Sequence, residues 1–228
     1  GARDRVFLLG YRPRVYSMHE MEEARNFWDR HGISASLEIT NICFFGTLGR
    51  HFVLKPVIDA ARRIESDGLK VRWILCGTGD AVEKLRAQAQ SLSTMLFPGW
   101  VDGAQIHTLM ERSDVGLAPY QRSTNFFGHF PNKVGEYLSA GLPILSTLVA
   151  GLDDLLARYD CGWTYDPMNV NELVALVREI VRQKERLPKM RERAKKLFAD
   201  YFDAEKIYPA YVNYIEEVVQ QYKVKRQA

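Results

Sequence analysis

The sequence is poor in cysteine and has no long apolar run. Its three cysteines, Cys43, Cys76 and Cys161, each lie in or beside a strand-like apolar stretch, and none is spaced as a metal pair or catalytic motif. We therefore expect buried free thiols and a reducing compartment. No run approaches the roughly 18 apolar residues of a membrane-spanning helix, and no charged-then-apolar leader opens the sequence. These features predict a cytoplasmic protein.

A large excess of one charge is lacking as well. Over 228 residues the net charge is only +3, which is too mild to indicate nucleic acid, and no DNA-binding or RNA-binding signature is present. The sequence has neither an Asp-x-Asp pair nor a histidine cluster, so we expect no divalent metal. With 46% hydrophobic and 26% charged residues, the composition is that of a globular protein with one generous domain or two small ones.

From residue 41 onward, short apolar strands alternate with amphipathic helices. The pattern predicts strands at 42–45, 71–76, 95–97, 115–118, 142–146 and 162–165, with helices between them. Alternation of this kind is typical of a parallel sheet that is buried on both faces and has right-handed crossovers. The predicted fold is therefore α/β, a doubly wound, Rossmann-like, mostly parallel six-stranded sheet followed by C-terminal helices.

The two ends of the chain depart from this alternation. Residues 5–10 predict a short strand and residues 21–31 a helix, in a segment too short to be a domain. The tail from residue 169 predicts helices, with nine Lys or Arg against three Glu between Arg178 and Lys196. This charge fits either a solvated helical face or a surface attracted to an anionic membrane. The last predicted helix, at about 204–222, is rich in tyrosine.

Residues 130–143 are the strongest candidate for a binding site. Their apolar positions predict a helix that begins close to Asn132. A helix start attracts anions such as phosphate, and the cation Lys133 in the first turn opposes the helix dipole unless an anion lies opposite. One turn later, Glu136 can accept two hydrogen bonds from a diol such as ribose. The alternative is an ordinary helix that leads into the strand at 142–146.

Ligands of parallel sheets bind beyond the carboxyl ends of the strands, where the loops lie. The predicted loops at this edge are 46–50, 77–80, 98–101, 119–131 and 147–151. Several are rich in glycine, and the longest one directly precedes the helix at Asn132. A loop of that length in a compact domain is more often functional than idle. The sequence therefore predicts that the binding site lies among these loops.

With these loops in order, the chain resembles the C-terminal, donor-binding half of a GT-B glycosyltransferase. It is most similar to retaining enzymes of glycosyltransferase family 4 that make bacterial capsules, O-antigens or exopolysaccharides. The resemblance covers about residues 42–220 and rests on six segments in the family's order: 44–48, 74–79, 97–101, 118–119, 130–143 and 162–171. Each segment is weak alone, but six in order are specific. The implied activity is a retaining hexosyltransferase.

The resemblance also implies a donor site. Its binding residues would be Gly46, Thr47, Gly77, Gly79, Gly99, Val101, His129, Asn132, Lys133, Val134 and Glu136. The amides at the helix start and Lys133 would hold the diphosphate, Glu136 the ribose, and the main chain of residues 99–101 the base. The glycine turn at 46–47 would approach the phosphates closely. Lys133 and Arg50 are the implied catalytic cations, and they would act without a metal.

Three departures from the family pattern accompany these matches. Many relatives have a glutamate that reaches the sugar where this sequence has Gly128, and His129 is the neighbouring candidate substitute. Relatives often have an arginine where this sequence has Thr47, followed by a lysine some five residues later. Arg50 and Lys55 have that separation but are displaced in register. We therefore interpret Arg50 as a substitute cation and Lys55 as a surface residue.

A GT-B active site lies in a cleft between two domains of similar size, and this chain resembles one of them. The implied division is a linker and remnant of an N-terminal domain at 1–40, the nucleotide-sugar-binding domain at 41–203, and a helix at 204–228 that crosses back. The implied ligand is a nucleotide sugar, with UDP favoured over GDP. The implied partners are an N-terminal acceptor-binding domain or separate subunit, and a lipid-linked acceptor at the inner face of the membrane. Alone, this half would transfer no sugar.

Two other functions stay open. A sugar-nucleotide epimerase of the same fold would require acid and base side chains that converge on the sugar, and this half offers few. A non-catalytic nucleotide-binding or partner-binding module of a split glycosyltransferase is favoured slightly by Gly128, which replaces the glutamate.

Overall fold

The predicted strands form one parallel sheet in the computed structural model, which describes residues 5–35, 38–122 and 130–227. The strands are β1 (Thr40–Phe45), β2 (Val71–Cys76), β3 (Met95–Gly99), β4 (Val115–Ala118), β5 (Ile144–Ser146) and β6 (Gly162–Thr164). Their order across the sheet is β3-β2-β1-β4-β5-β6, and every neighbouring pair is parallel. The strand order reverses beside β1, so the prediction of a doubly wound, six-stranded sheet is confirmed.

Helices cover both faces of the sheet. They are α1 (Met18–Arg30), α2 (Lys55–Ser66), α3 (Val82–Gln88), α4 (Gly103–Arg112), α5 (Asn132–Ser139), α6 (Leu152–Tyr159), α7 (Val170–Arg182), α8 (Leu187–Tyr201) and α9 (Ala204–Gln227). Alternate residues of β1 enter opposite cores: Cys43 and Phe45 pack with α5 and α8, whereas Ile42 and Phe44 pack with α2 and α7. Because both faces of the central strands are buried, their residues are mainly apolar.

The expected strand at residues 5–10 is wrong. Residues 5–10 form no strand and run along α9, where the Phe7 ring meets Tyr211 edge-on at 5.2 Å and Tyr208 Oη donates to Gly10 O at 3.1 Å. The residue that follows the segment, Tyr11, forms an isolated bridge with Asp203. An apolar run predicts burial against a neighbour, and here that neighbour is a helix, so the ladder hydrogen bonds of a strand do not form.

The helix expected at 21–31 begins earlier, at Met18, because Ser17 and Glu20 form a capping box. This helix shares a core with the sheet domain: Trp28 is fully buried, and its Nε1 donates to Gln105 O of α4 at 2.8 Å. At the other end of the chain, α9 leaves an apolar face uncovered, formed by Tyr208, Tyr211, Val212, Ile215, Val218, Val219 and Tyr222. Within the described ranges, no helix is both long and apolar enough to span a bilayer.

Candidate functional site

Two glycine turns lie stacked at the carboxyl edge of the sheet. Gly46 N donates to Cys76 O at 3.0 Å, and Leu48 N donates to Thr78 O at 2.8 Å, so the turn after β1 rests on the turn after β2. Gly77 (φ +135°) has no room for a side chain, because a Cβ there would collide with Gly46 O. Glycine is therefore required in the second turn for its packing against the first, and Gly79 meets Leu48 O in the same way.

A cleft of about 370 Å³ opens between these turns and the start of α5. It is lined by Phe45, Gly46, Thr47, Gly77, Thr78, Trp100, Val101, Ile106, Lys133 and Glu136. Six of these residues belong to the sequence-predicted set, which the fold brings together from four separate segments. The cleft lies beside β1, where the strand order reverses, which is the usual position of a ligand on a doubly wound sheet.

Helix α5 begins at Asn132, as the sequence predicts, and its first turn is uncapped. The N-cap residue is Pro131, and no side chain of the described residues caps the helix. Among the described residues, none accepts a hydrogen bond from the amides of Asn132 or Lys133. The Val134 amide is different, since it donates to Pro131 O at 2.8 Å, and the Val134 side chain is fully buried in the core. Two of the three predicted amides are thus available to a ligand.

The Lys133 ammonium lies inside a cage of aromatic rings. It is 4.3 Å from the centroid of Phe45 and 4.6 Å from that of Phe44, with Phe52 and Tyr137 at 6.0 Å. The residue is only 8% exposed. Within the described part of the chain, the ammonium has no hydrogen-bond acceptor and no ion-pair partner. The ring faces therefore supply close favourable electrostatic contacts to the ammonium.

Burial lowers the pKa of Lys133 to about 8, and the neighbouring Glu136 carboxylate offsets this only in part. Gly46 (φ +143°) stands next to the ammonium, where a Cβ would lie 3.0 Å from Nζ. A buried cation without a partner is costly to maintain. The arrangement holds a positive charge, poorly hydrated, directly below the first glycine turn, and an anionic ligand in the cleft would supply the missing partner.

Glu136 lies one turn after Lys133 and faces the same cleft. Its carboxylate accepts no hydrogen bond from any described residue. Burial raises the pKa of Glu136, whereas Lys133 lowers it. Two unpaired acceptor oxygens that are partly shielded from water fit a diol ligand, because each hydroxyl can donate one hydrogen bond.

The far wall of the cleft follows β3. Gly99 has a φ of +91° and accepts a hydrogen bond from Gly77 N at 2.6 Å. Val101 is buried, whereas Trp100 is an exposed ring at the lip of the cleft. Sequence reasoning assigned this wall to main chain alone and missed Trp100. A tryptophan in a glycine turn after a strand is the feature by which it could have been found.

Some predicted site residues do not line the cleft themselves: Gly79, Gly99, Asn132, Val134 and Arg50. Arg50 is exposed and lines a neighbouring groove with Asp80 and Lys84. Lys55 also lies on that groove, and its Nζ pairs with Asp59 of the same helix at 2.5 Å. His129, together with the departure at Gly128, lies outside the described residues.

Comparisons with known proteins identify the family of the chain. A family model described as glycosyl transferases group 1 matches residues 34–197. WcaL of Salmonella typhimurium, whose name assigns it to colanic acid biosynthesis as a glycosyltransferase, is 25% identical over 133 residues, which is 57% of this chain and 33% of the relative. The WcaL of Escherichia coli is 25% identical over 114 residues, 48% of this chain and 28% of the relative. The chain thus matches about one third of the length of these relatives.

Solved structures show the same fold. Anabaena HepE in complex with UDP-glucose has a TM-score of 0.69 at 18% identity, covering 89% of this chain and 54% of that chain. WaaG, a glycosyltransferase involved in lipopolysaccharide biosynthesis, has a TM-score of 0.66 at 21% identity, with 89% and 54% covered. The resemblance to the GT-B fold that the motifs indicated is confirmed. Since the family model matches well over half of its length, the chain belongs to the glycosyl transferases group 1 family.

Proposed function

We propose that this chain is the donor-binding half of a retaining glycosyltransferase that uses a nucleoside diphosphate sugar to build a bacterial surface polysaccharide. The observation that carries the proposal is the pair of unpaired charges in one cleft, the Lys133 ammonium and, one turn later, the Glu136 carboxylate. Their separation by one helical turn matches the order of diphosphate and ribose in such a donor. Both charges lie at the carboxyl edge of a doubly wound sheet.

In the proposed reaction, the bond between the anomeric carbon and the diphosphate oxygen breaks, and negative charge grows on the diphosphate. Lys133 and the free amides of Asn132 and Lys133 stabilise that charge in a partly desolvated site. The acceptor hydroxyl oxygen bonds to the anomeric carbon on the face that the diphosphate leaves, and the hydroxyl proton passes to the departing diphosphate oxygen. Arg50, on the neighbouring groove, is the proposed second cation, and we propose that no metal ion takes part.

The proposed donor carries uracil rather than guanine. Crystals of HepE, a structural relative, hold UDP and UDP-glucose. In our proposal Glu136 binds the ribose hydroxyls and the main chain of residues 99–101 contacts the base. An epimerase is less well supported, because Glu136 is the sole carboxylate among the described residues that line the cleft.

We further propose that an acceptor-binding partner completes the site, either an N-terminal domain or a separate subunit. The uncovered apolar face of α9 and the basic α8 fit a chain that works at the inner face of the membrane, on a lipid-linked acceptor. Transfer requires both substrates held in near-attack geometry. Alone, the 228 residues are therefore expected to bind donor and to transfer no sugar.

Titration calorimetry with UDP and GDP tests the donor site. Lys133→Met keeps the length of the side chain and removes its charge, so it should weaken UDP binding about 10- to 100-fold, the range for a hydrogen bond to a charged group. The matched control is Lys189→Met, at an exposed lysine of α8. Equal affinity in wild type, Lys133→Met and the control would refute the assignment of the diphosphate to Lys133.

A further inference from the structure

Trp100 is a large aromatic side chain that the protein leaves uncovered at the cleft. It is 69% exposed, whereas Trp28 and Trp73 are fully buried. Its indole makes no ring contact with any aromatic side chain or cation among the described residues. Covering an aromatic face is favourable, so this ring offers a surface to whatever occupies the cleft.

The backbone holds Trp100 firmly in place. On its N-terminal side, Gly99 adopts a φ of +91° and accepts a hydrogen bond from Gly77 N at 2.6 Å. On its C-terminal side, Val101 is 6% exposed, and Asp102 caps α4 in a capping box with Gln105. The ring therefore stands on a short turn that is anchored at both ends, and binding need not order a flexible loop.

The position of the ring follows from the other cleft residues. In a nucleoside diphosphate, the ribose separates the phosphates from the base. With the diphosphate at Lys133 and the ribose at Glu136, the remaining wall of the same cleft is formed by Trp100, Val101 and Ile106. This wall is apolar and includes one broad aromatic ring, which suits a planar heterocycle better than another phosphate.

We propose that Trp100 stacks its indole on the nucleobase of the donor and sets how tightly the base is held. This inference rests on the proposed function and adds a side chain to a wall otherwise assigned to main chain. Stacking tolerates any base, because every base has a π face. Trp100 therefore contributes affinity, and it holds a purine at least as firmly as a pyrimidine. Only groups that contact the edge of the base can discriminate one base from another.

The experiment pairs affinity with fluorescence. Trp100→Ala should weaken UDP and GDP binding about 5- to 150-fold, the range for one base stacked on an aromatic ring. Binding of inorganic pyrophosphate, which has no base, should not change. UDP should quench the tryptophan fluorescence of the wild type, and Trp100→Phe, which keeps a stacking ring, should retain most of the affinity without that quenching. Tyr222→Ala removes an equally exposed ring of α9 and is the control.

The outcomes separate this inference from the function on which it rests. If UDP binds the wild type and Trp100→Ala binds it equally well, the stacking role is overturned while the donor site stands. The same holds if Trp100→Ala weakens pyrophosphate as much as UDP, because the substitution would then act on the whole cleft. If neither UDP, GDP nor pyrophosphate binds the wild type, the donor site itself is refuted and the stacking role with it.

Discussion

The buried charges at the two edges of the sheet differ in whether they have partners. At the amino edge, the Asp114 carboxylate accepts a hydrogen bond from Asn41 N at 2.8 Å and pairs with Lys184 Nζ at 3.1 Å. At the carboxyl edge, Lys133 and Glu136 have no such partners among the described residues. The grooves at the two edges have similar volumes, about 350 and 370 Å³. Cavity size therefore does not distinguish them, and the pairing of charges does.

The charges at the amino edge of the sheet stabilise the fold. Besides Asp114, this edge contains Arg112, which donates to Asp29 and to Ile33 O, and Arg191, which donates to Ser113 O at 2.8 Å. Each charge there is satisfied by the chain itself. At the other edge, a cation and a carboxylate are partly desolvated and left without partners, which costs stability that a ligand could return. The comparison thus separates a structural cluster from a binding site.

The largest change in stability is expected for Asp114, at the amino edge of the sheet. Asp114→Ala removes the acceptor of a buried amide and the charge partner of Lys184, so the free energy of unfolding should fall by about 3 kcal/mol. Urea denaturation measures this loss. Asp114→Asn, which keeps an oxygen acceptor, should lose less. UDP affinity should be unchanged in both variants, and a selective loss of UDP binding would contradict the assignment of this edge to stability.

Substitution of Lys133 is expected to change the free energy of unfolding in the opposite direction. Replacing this buried, unpaired cation by Met should raise the free energy of unfolding at pH 7 by about 1 to 2 kcal/mol, while UDP binding becomes weaker. The folded-state pKa of about 8 lies below the ordinary lysine pKa of 10.5. Below pH 8 both states carry the charge, and the wild type bears its full burial cost. Between pH 8 and 10.5, Lys133 loses its proton in the folded state but keeps it in the unfolded state. The free energy of unfolding of the wild type therefore rises relative to that of the variant.

Thermal or urea unfolding of the two proteins at pH 7 and at pH 10 checks this pattern. The stability difference should narrow at the higher pH, because Lys133 is then largely neutral in the folded wild type. Lys189→Met, at an exposed site, should show no such change. A Lys133→Met variant that is clearly less stable than the wild type at pH 7 would mean that the aromatic cage stabilises the ammonium more than burial destabilises it.

A smaller effect is expected for Glu136. Glu136→Gln removes the charge and one of two acceptor oxygens, so UDP binding should weaken by about 1 kcal/mol. The loss should be smaller for 2′-deoxy-UDP, which already lacks one hydroxyl. Calorimetry measures the loss of affinity for both nucleotides. Glu192→Gln, at an exposed position of α8, is the control. Equal losses for the two ligands would show that Glu136 does not contact the 2′-hydroxyl.

The sequence predicted the parts of this site that depend on local pattern. The start of α5 at Asn132 and the placement of Lys133 and Glu136 one turn apart follow from helical spacing alone. The aromatic cage could not be predicted, because Phe44 and Phe45 point to opposite faces of β1 and the ring of Phe52 arrives from the following loop. Tertiary packing decides such contacts.

Three other features could not be placed from local pattern, each for its own reason. Residues 5–10 have the apolar content of a strand, but pattern does not reveal whether the neighbour is a strand or a helix. Arg50 has the residue type and spacing of a ligand cation, yet a shift in register places it on the neighbouring groove. Trp100 was overlooked because the turn after β3 was assigned to main chain alone, although a tryptophan in a glycine turn was visible in the sequence; its exposure became known only from the structure.

The central claim is that the donor diphosphate becomes the missing ion-pair partner of Lys133. Its most direct test is the proton uptake that accompanies UDP binding. Calorimetry at pH 8.5 in buffers of different ionisation enthalpy measures it. A phosphate with a second pKa near 6 is already ionised there, whereas Lys133, with a pKa of about 8, is mostly neutral in the free protein. We expect uptake of more than about half a proton in the wild type and essentially none in Lys133→Met. Tight UDP binding by the wild type without proton uptake would contradict the account.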